Sequence, residues 1–281
     1  MKIVLVSFAD SRYKNSFLRL KEQIKGFPFD KLYFLTEKNC LTKEYWRNLK
    51  PWLYRRGYGY WSWKFPVVKE ILGKLSYGDI LFYSDAGVSW NNSDKAIARF
   101  NEYVAMLSGS NDILVFDYPA REEIWTKGDV LEALGVYNDE RICKSNQVAG
   151  GFFCIKKTQR IEKLVDKLIA LCDIRRELVT DKKSIKCNKP EFIETRHDQS
   201  IFSVAVKQYP HILLHYNKTY ELNDDGTTNE DCPLQIIRHK EAERSMGTVI
   251  WNKLLRPWRM ILNVYFREFR NYEFGGKGYP W

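Results

Sequence analysis

Acidic side chains follow apolar, strand-like runs at three places in the sequence. Asp10 comes after KIVLVSFA, Asp85 after ILFYS and Asp117 after ILVF. A carboxylate is ionised at neutral pH and binds hard divalent cations together with phosphate oxygens. For Asp10 and Asp117, a role as turn former or helix cap stays equally open. We favour a chemical role for Asp85, because the nearby Gly87 has no Cβ and lets backbone and ligand approach closely.

A basic aromatic stretch, WLYRRGYGYWSWKF (52–65), precedes a helical pattern whose start carries Pro66. Proline is compatible with the first turn of a helix, and helix amino ends bind phosphate groups. Lys64 and this helix end could therefore face a pyrophosphate. The alternative is that Trp61 and Trp63 belong to the core while Lys64 extends along them to solvent. We favour the phosphate contact.

Apolar patterns predict the sheet that would position these residues. Continuous apolar runs, typical of strands buried on both faces, alternate with helical patterns. Ligands of such open sheets gather at the carboxyl ends of the strands. We therefore predict an α/β fold with a mostly parallel sheet flanked by helices. The predicted strands are 2–8, 31–37, 78–87, 112–118, 150–157 and 211–216, and the predicted helices are 15–25, 67–75, 93–107, 128–135, 160–172 and 197–209.

Length and composition limit the class of protein. The chain has 281 residues and a formal net charge of +10, which favours polyanionic partners without choosing among them. Its six cysteines are scattered without CxxC spacing, so we expect reduced thiols and no zinc or redox site. No apolar run is long enough to span a bilayer, and the first apolar stretch is too short for a signal peptide. We expect a cytoplasmic protein.

The segment YSDAG (83–87) resembles the DxD motif of GT-A glycosyltransferases, in which an apolar strand ends in Asp-x-Asp. Aligned on the later acid of that motif, Asp85 matches the metal-binding residue and Tyr83 replaces the first acid. Further segments, spread over about residues 50–210, are similar to a bacterial group of sugar transferases. These segments, in family order, are GYGYWSWKFPVVKEIL, GDILFYSDAG, IWTKGDVLEALG, QVAGGFFCIKK and FIETRHDQSIFS.

The resemblance implies a GT-A fold that uses a nucleotide-sugar donor, with UDP favoured. The acceptor would be a glycan or lipid-linked glycan in bacterial surface polysaccharide synthesis. A Mn²⁺ or Mg²⁺ ion would bind Asp85, and a late histidine, His239, would complete its shell. The residues we expect to contact the donor are Phe8, Asp10, Lys64, Ser84, Asp85, Gly87, Gly151 and His197.

The resemblance also implies catalytic roles at RHDQS, where polar residues open an apolar helical pattern. Asp198 and Gln199 would lie beside the anomeric carbon. Asp198 would be a general base in an inverting enzyme, or would stabilise the cationic centre in a retaining one. The likeness of GGFF and HDQ to retaining groups favours retention. The alternative is that Asp198 simply caps the helix.

The last part of the chain is predicted to be a separate unit. We expect a catalytic domain at 1–245 and a basic, aromatic, helical extension at 246–281. Such an amphipathic segment can lie on an anionic membrane surface, here the inner face of the plasma membrane. Packing of this helix against the catalytic domain is the alternative.

Two other function classes compete with sugar transfer. A nucleic-acid-binding protein would explain the positive charge, but the sequence shows no zinc-finger, helix-turn-helix or RNP-like motif, and we expect no nucleic-acid partner. A metal-dependent nucleotidyltransferase would need two or more close carboxylates, whereas Asp85 lacks its motif partner.

Overall fold

A mixed sheet of seven strands forms the centre of the computed structural model, which describes residues 1–51, 53–54, 56–215 and 231–238. The strand order is β2-β1-β3-β7-β5-β6, and β8 also pairs with β5; β4 and β9 form a separate antiparallel pair. The strands are β1 (Ile3–Phe8), β2 (Lys31–Leu35), β3 (Ile80–Ser84), β4 (Val88–Trp90), β5 (Ile113–Arg121), β6 (Asn146–Val148), β7 (Phe152–Lys156), β8 (Ile212–His215) and β9 (Leu234–Arg238).

Five of the seven strands in the large sheet run in the same direction. β1 is parallel to β2 and β3, and β5 is parallel to β8. β7 is antiparallel to both β3 and β5, so β3 and β5 share one direction, while β6 opposes β5. This topology confirms the predicted α/β class with a mostly parallel sheet.

Helices cover both faces of the sheet. The α-helices are α1 (Lys14–Gln23), α2 (Lys43–Leu49), α3 (Gly57–Tyr60), α4 (Lys64–Leu72), α5 (Asp94–Ser108), α6 (Glu122–Trp125), α7 (Gly128–Ala133), α8 (Glu140–Cys143), α9 (Gln159–Ile169) and α10 (Asp198–Lys207). Short 3₁₀ turns lie at Ser11–Tyr13 and Arg176–Leu178, and a π turn at Ala170–Ile174 follows α9. The hydroxyls of Thr42, Ser93 and Thr158 accept a backbone N–H and so cap α2, α5 and α9.

The two faces of β3 belong to different parts of the core. Leu81 and Tyr83 pack with α4, α9 and α10, whereas Ile80 and Phe82 pack with α1 and α5. Successive side chains of a strand point to opposite faces, so a strand covered on both sides must be apolar at every position. The same alternation places residue 85 on the face of Tyr83, toward α4 and α10.

Each predicted strand and helix is present, with ends shifted by a few residues. One prediction about position is wrong: Asp117 lies inside β5, where it pairs with Val148, instead of following the strand. Its carboxylate accepts a hydrogen bond from the Asn146 amide at 2.9 Å. Strand β5 extends past its pairing with β7 because its later residues pair with β6.

Cys40, Cys143, Cys154, Cys172 and Cys187 lie within the described residues outside any disulfide, and all but Cys187 are buried. In the part of the chain that the structure describes, every helix is too short or too polar to cross a membrane. The boundary predicted at residue 245, the extension 246–281 and His239 lie outside the described residues.

Candidate active site

Asp85 follows β3 directly and is held in place by its neighbours. The Tyr83 hydroxyl donates to Asp85 Oδ1 at 2.6 Å, and the Asp85 backbone N–H donates to the Gly151 carbonyl at 2.8 Å. The Asp85 side chain is 23% exposed. The strand therefore presents an oriented carboxylate that solvent or a ligand can reach at its carboxyl end.

Lys64, the first residue of α4, lies inside the site. Its side chain is only 3% exposed, and its ammonium donates to the Gly150 carbonyl at 2.8 Å. The ammonium forms an ion pair with the Asp198 carboxylate and lies 3.7 Å from Asp85 Oδ1. Trp63 does belong to the core, as the alternative expected, but Lys64 does not extend to solvent along it. Lys64 instead joins the two predicted acids into one cluster.

Asp198 begins α10 but does not cap it. The N-cap is His197, which makes no side-chain cap bond, and the Asp198 carboxylate points to Lys64 instead. Burial raises the pKa of Asp198, and the Asp85 charge adds to this, while the Lys64 ammonium acts in the opposite direction. The position next to Lys64 and Asp85 is compatible with a chemical role for this carboxylate.

The glycine pair 150–151 brings β7 and α10 together at the site. A Cβ on Gly150 would lie 2.8 Å from Gln199 Cβ, closer than side chains normally approach. The carbonyl of Gly150 receives the Lys64 ammonium, and that of Gly151 receives the Asp85 N–H. Gly150 is therefore more than a turn residue, because it allows the start of α10 to approach the strand.

Gln199 is oriented by a buried polar network. Its amide donates to Gln147 Oε1 at 2.9 Å, and the Gln147 amide donates to Glu122 at 3.2 Å and to Thr126 at 3.0 Å. Glu122 is fully buried and also accepts from Lys207 at 2.7 Å. The Gln147 side-chain nitrogen donates to Glu122 and Thr126, so the Gln147 oxygen accepts from the Gln199 amide nitrogen. The Gln199 side-chain oxygen therefore points away from Gln147.

His197 directly precedes Asp198 in the chain and has its own set of contacts. Its ring stacks on Trp61, with ring centroids 5.4 Å apart, and Nδ1 is 2.6 Å from the Val179 carbonyl. Nε2 is 3.9 Å from Asp181 Oδ1. Burial, and after it the Arg56 charge, lowers the pKa of His197 to about 4, so the imidazole is neutral near pH 7. Asp181 lies shortly after the 3₁₀ turn Arg176–Leu178.

The other residues predicted to contact the donor lie among side chains and turns of the fold. Phe8 packs between Trp46 and Trp63, with centroids 5.4 and 4.1 Å away. Asp10 is buried after β1, and Ser84 accepts from the Trp90 indole at 3.1 Å. Gly87 lies in the β3–β4 turn, whose Ala86 carbonyl accepts from Arg19 at 2.8 Å.

Asp85 is a suitable ligand for a hard cation, although the described residues include no group of three His, Cys, Asp or Glu side chains that could hold one. Mg²⁺ is commonly held by one or two carboxylates together with substrate phosphates and waters. Asp85 and Asp198 place two acids around the single Lys64 ammonium, and only Asp85 is reachable. One reachable carboxylate at this position fits an ion that binds together with a diphosphate.

Several residues of the site were not predicted from the sequence. The contact between Tyr83 and Asp85 could have been predicted, because side chains two residues apart in a strand lie on the same face. Gln147 precedes the GGFF segment by only a few residues, but nothing in the pattern links it to Gln199. Asp181 lies in a polar loop, and its approach to His197 depends on tertiary contacts that have no local sequence signal.

No family model matches the sequence, and no curated protein matches it. Among solved structures, it is similar to a glycosyltransferase involved in glycosylation of the major capsid of PBCV-1 (11% identity, 86% of this chain and 96% of that chain covered, TM-score 0.44). It is also similar to mouse xyloside xylosyltransferase 1, with 12% identity, 87% of this chain and 100% of that chain covered, and a TM-score of 0.46. A third similar structure is the glycosyltransferase GlyE of Streptococcus pneumoniae TIGR4, with 14% identity, 95% of this chain and 64% of that chain covered, and a TM-score of 0.44. At this level of similarity, only the side chains of the site can support a function.

Proposed function

We propose that the protein is a glycosyltransferase that moves a sugar, of hexose type, from a nucleoside-diphosphate donor to a hydroxyl of a glycan or glycolipid. UDP is the nucleotide we favour. The observation that supports this proposal is the convergence of Asp85, Lys64 and Asp198 at the carboxyl end of β3. A reachable carboxylate for the diphosphate end and a buried carboxylate for the sugar end lie on either side of one ammonium.

Asp85 would serve the leaving-group end of the reaction. Tyr83 fixes one carboxylate oxygen at 2.6 Å, so the side chain needs little reorganisation when a ligand binds. Asp85, with His239 as a further candidate, would hold Mn²⁺ or Mg²⁺, which when bound supplies positive charge for the departing diphosphate. Lys64 adds a fixed positive charge that is close to Asp85 and shielded from water.

Asp198 would serve the sugar end. The bond from the anomeric carbon to the diphosphate oxygen breaks, the acceptor oxygen bonds to that carbon, and the acceptor proton passes to the departing diphosphate oxygen. Positive charge develops on the sugar ring in the transition state. An ionised carboxylate nearby stabilises that charge more in the transition state than in the ground state. Lys64 favours the ionised form of Asp198, and Gln199 would position the acceptor hydroxyl. We propose retention of configuration, which proton NMR of the first product distinguishes from inversion.

Two carboxylates close together are also used by metal-dependent nucleotidyltransferases, which place two ions between them. Here the Lys64 ammonium occupies the position between Asp85 and Asp198. Sugar transfer, which requires one ion at the diphosphate, is therefore the better match to this arrangement.

A screen of nucleotide sugars tests the proposed function. The purified chain is incubated with UDP-, GDP- and CMP-sugars, with Mn²⁺ or with EDTA, and release of the nucleotide is followed by chromatography. We expect metal-dependent hydrolysis or transfer for at least one UDP-sugar. Thermal shift with the same nucleotides and with a short oligonucleotide is run in parallel. Stabilisation by the oligonucleotide alone would contradict the proposal.

Attachment to a membrane through residues 246–281 is a separate proposal. It is based on the basic and aromatic composition of that segment. Sedimentation with anionic liposomes is compared for the full chain and for a chain that ends at residue 248. We expect truncation to abolish co-sedimentation, and unchanged binding would overturn the proposal.

A further inference from the structure

His197 carries a buried hydrogen-bond acceptor that has no partner among the described residues. The residue is 3% exposed, and its Nδ1 lies 2.6 Å from the Val179 carbonyl. Because a carbonyl oxygen only accepts, Nδ1 must carry the proton, and Nε2 presents a lone pair. Within the described part of the chain, no donor reaches Nε2. Buried acceptors are normally satisfied, so this atom is a candidate for contact with a ligand.

Asp181 presents a second acceptor to the same space. Its Oδ1 lies 3.9 Å from His197 Nε2, too far for a hydrogen bond and close enough for one ligand to reach both. Arg56 donates to Oδ1 and Tyr60 to Oδ2, each at 2.9 Å, so the carboxylate is held in one orientation. The Asp181 side chain is 34% exposed, so a ligand can reach this carboxylate from solvent, while His197 Nε2 lies buried behind it. Two acceptors side by side select a ligand that offers two donors.

Both acceptors are held on rigid supports. The Lys127 ammonium donates to the carbonyls of Thr180 at 3.1 Å and Lys182 at 3.3 Å, on either side of Asp181, and also to that of Glu177. His197 has a φ of +53°, and Trp61, on which its ring stacks, has a φ of +57°. Positive φ values at bulky residues occur where surrounding contacts impose them, often at binding sites. The pair of acceptors is therefore preorganised.

We propose that His197 Nε2 and the Asp181 carboxylate bind neighbouring hydroxyl groups of the transferred sugar, one hydroxyl donating to each. This inference depends on the proposed function. The transferred sugar is favoured over the ribose of the nucleotide because His197 directly precedes Asp198, which lies beside Lys64 and Asp85. An uncharged sugar rich in hydroxyls supplies the donors that both acceptors need, whereas a phosphate group would be repelled by Asp181.

Two variants remove one acceptor each while keeping the local structure. Asp181→Asn preserves shape and leaves an oxygen for Arg56 or Tyr60. His197→Asn retains an amide that can donate to Val179, and asparagine tolerates positive φ better than most residues. Asp166→Asn, at an exposed acid paired with Lys69, is the matched control. Circular dichroism and melting temperature check that each variant is folded.

Calorimetric titrations with Mn²⁺ use UDP, 2′-deoxy-UDP, UDP-glucose, UDP-galactose and UDP-N-acetylglucosamine as probes. We expect at least one UDP-sugar to bind the wild-type protein more tightly than UDP. Asp181→Asn and His197→Asn should weaken that UDP-sugar by about tenfold to a hundredfold and change UDP by less than about twofold. Asp166→Asn should change neither.

Three results would overturn the inference: unchanged affinity of the variants for the UDP-sugar, an equal loss for UDP, or no UDP-sugar that binds more tightly than UDP. If the variants instead abolish the difference between UDP and 2′-deoxy-UDP, the hydroxyls belong to the ribose, and the assignment to the transferred sugar is wrong. Failure of the wild-type protein to bind UDP and every UDP-sugar would refute the proposed function itself, which keeps the two failures distinct.

Discussion

Two buried pairs of lysine and carboxylate hold helix α10, one at each end, and they differ in how fully they are satisfied. At the end of the helix, Glu122 is fully buried and accepts hydrogen bonds from Lys207 and, at 2.5 and 3.2 Å, from Thr126 and Gln147. At its start, Lys64 pairs with Asp198 and shares its charge with Asp85, whose side chain is partly exposed.

This difference separates a structural ion pair from a candidate reactive one. The Glu122 carboxylate has protein donors on both oxygens, so no ligand is needed to satisfy it. The Lys64–Asp198 pair opens toward Asp85, a second acid that solvent can reach. Burial alone therefore does not distinguish a functional ion pair in this molecule; a second, reachable acid beside the pair does.

The largest effect is expected from Asp198→Asn. Loss of the carboxylate should lower the rate of sugar transfer about a thousandfold, as expected for a charged group that acts in the transition state. The unfolding free energy should fall by less than about 2 kcal/mol, because Lys64 keeps Asp85 and the Gly150 carbonyl as partners. Initial rates and urea unfolding measure the two quantities. A full transfer rate would remove Asp198 from the mechanism.

Glu122→Gln should give the opposite pattern. Lys207 would keep its contacts to Ser145 and Asn146 but lose its buried counter-charge, so we expect a loss of about 3 to 5 kcal/mol in unfolding free energy. The folded fraction should transfer sugar at a rate close to that of the wild type. Glu140→Gln, at an exposed pair with Lys144, serves as the control and should not change stability measurably. Equal stability of the Glu122 and Glu140 variants would contradict the structural assignment.

Acid should weaken the end of α10 that carries the site. The pKa of His197 is about 4 in the folded protein against 6.5 ordinarily, so between these values the unfolded chain binds more protons than the folded one. The stability from the neutral imidazole is present above pH 6.5 and is lost as pH falls toward 4, by about 3 kcal/mol in total. Urea unfolding of the wild type and His197→Asn at pH 7, 5.5 and 4.5 measures it. Asp198 is present in both proteins, so its contribution to the pH dependence cancels in the comparison. If the unfolding free energies of the two proteins fell in parallel with pH, the prediction would be contradicted.

The smallest effect is expected at Gln147, whose side chain contacts both Gln199, next to Asp198, and Glu122. Gln147→Met removes the acceptor for Gln199 and one donor to Glu122. We expect kcat to fall about tenfold through misplacement of Gln199, with little change in KM for the donor. Gln208→Met, at the end of the same helix, is the control, because its amide contacts only the Leu134 carbonyl in the described network. A change in KM with kcat unchanged would indicate that Gln147 acts on donor binding instead.

The sheet was predictable because its inner strands β1, β3 and β7 are apolar at nearly every position, a pattern that can be recognised without knowing the partner strands. Short elements such as β4, β6 and α8 were not predicted, since their existence depends on neighbours distant in sequence. At the site, Asp85 was proposed from its type and its position after a strand, and Asp198 from the resemblance of RHDQS to sugar transferases. Their connection through Lys64 was not predicted, because a lysine that follows Trp61 and Trp63 has the same local signal whether it faces solvent or a buried carboxylate.

The most direct test of the site is the binding of UDP to the wild-type protein and to Asp85→Asn, measured by calorimetry with Mn²⁺ and with EDTA. If Asp85 serves the diphosphate end, Mn²⁺ should tighten UDP binding at least about tenfold in the wild type, as expected when a shared ion links carboxylate and phosphate, and should have no effect in the variant. Equal affinities with and without Mn²⁺ in the wild type, or an undiminished Mn²⁺ effect in Asp85→Asn, would contradict the account.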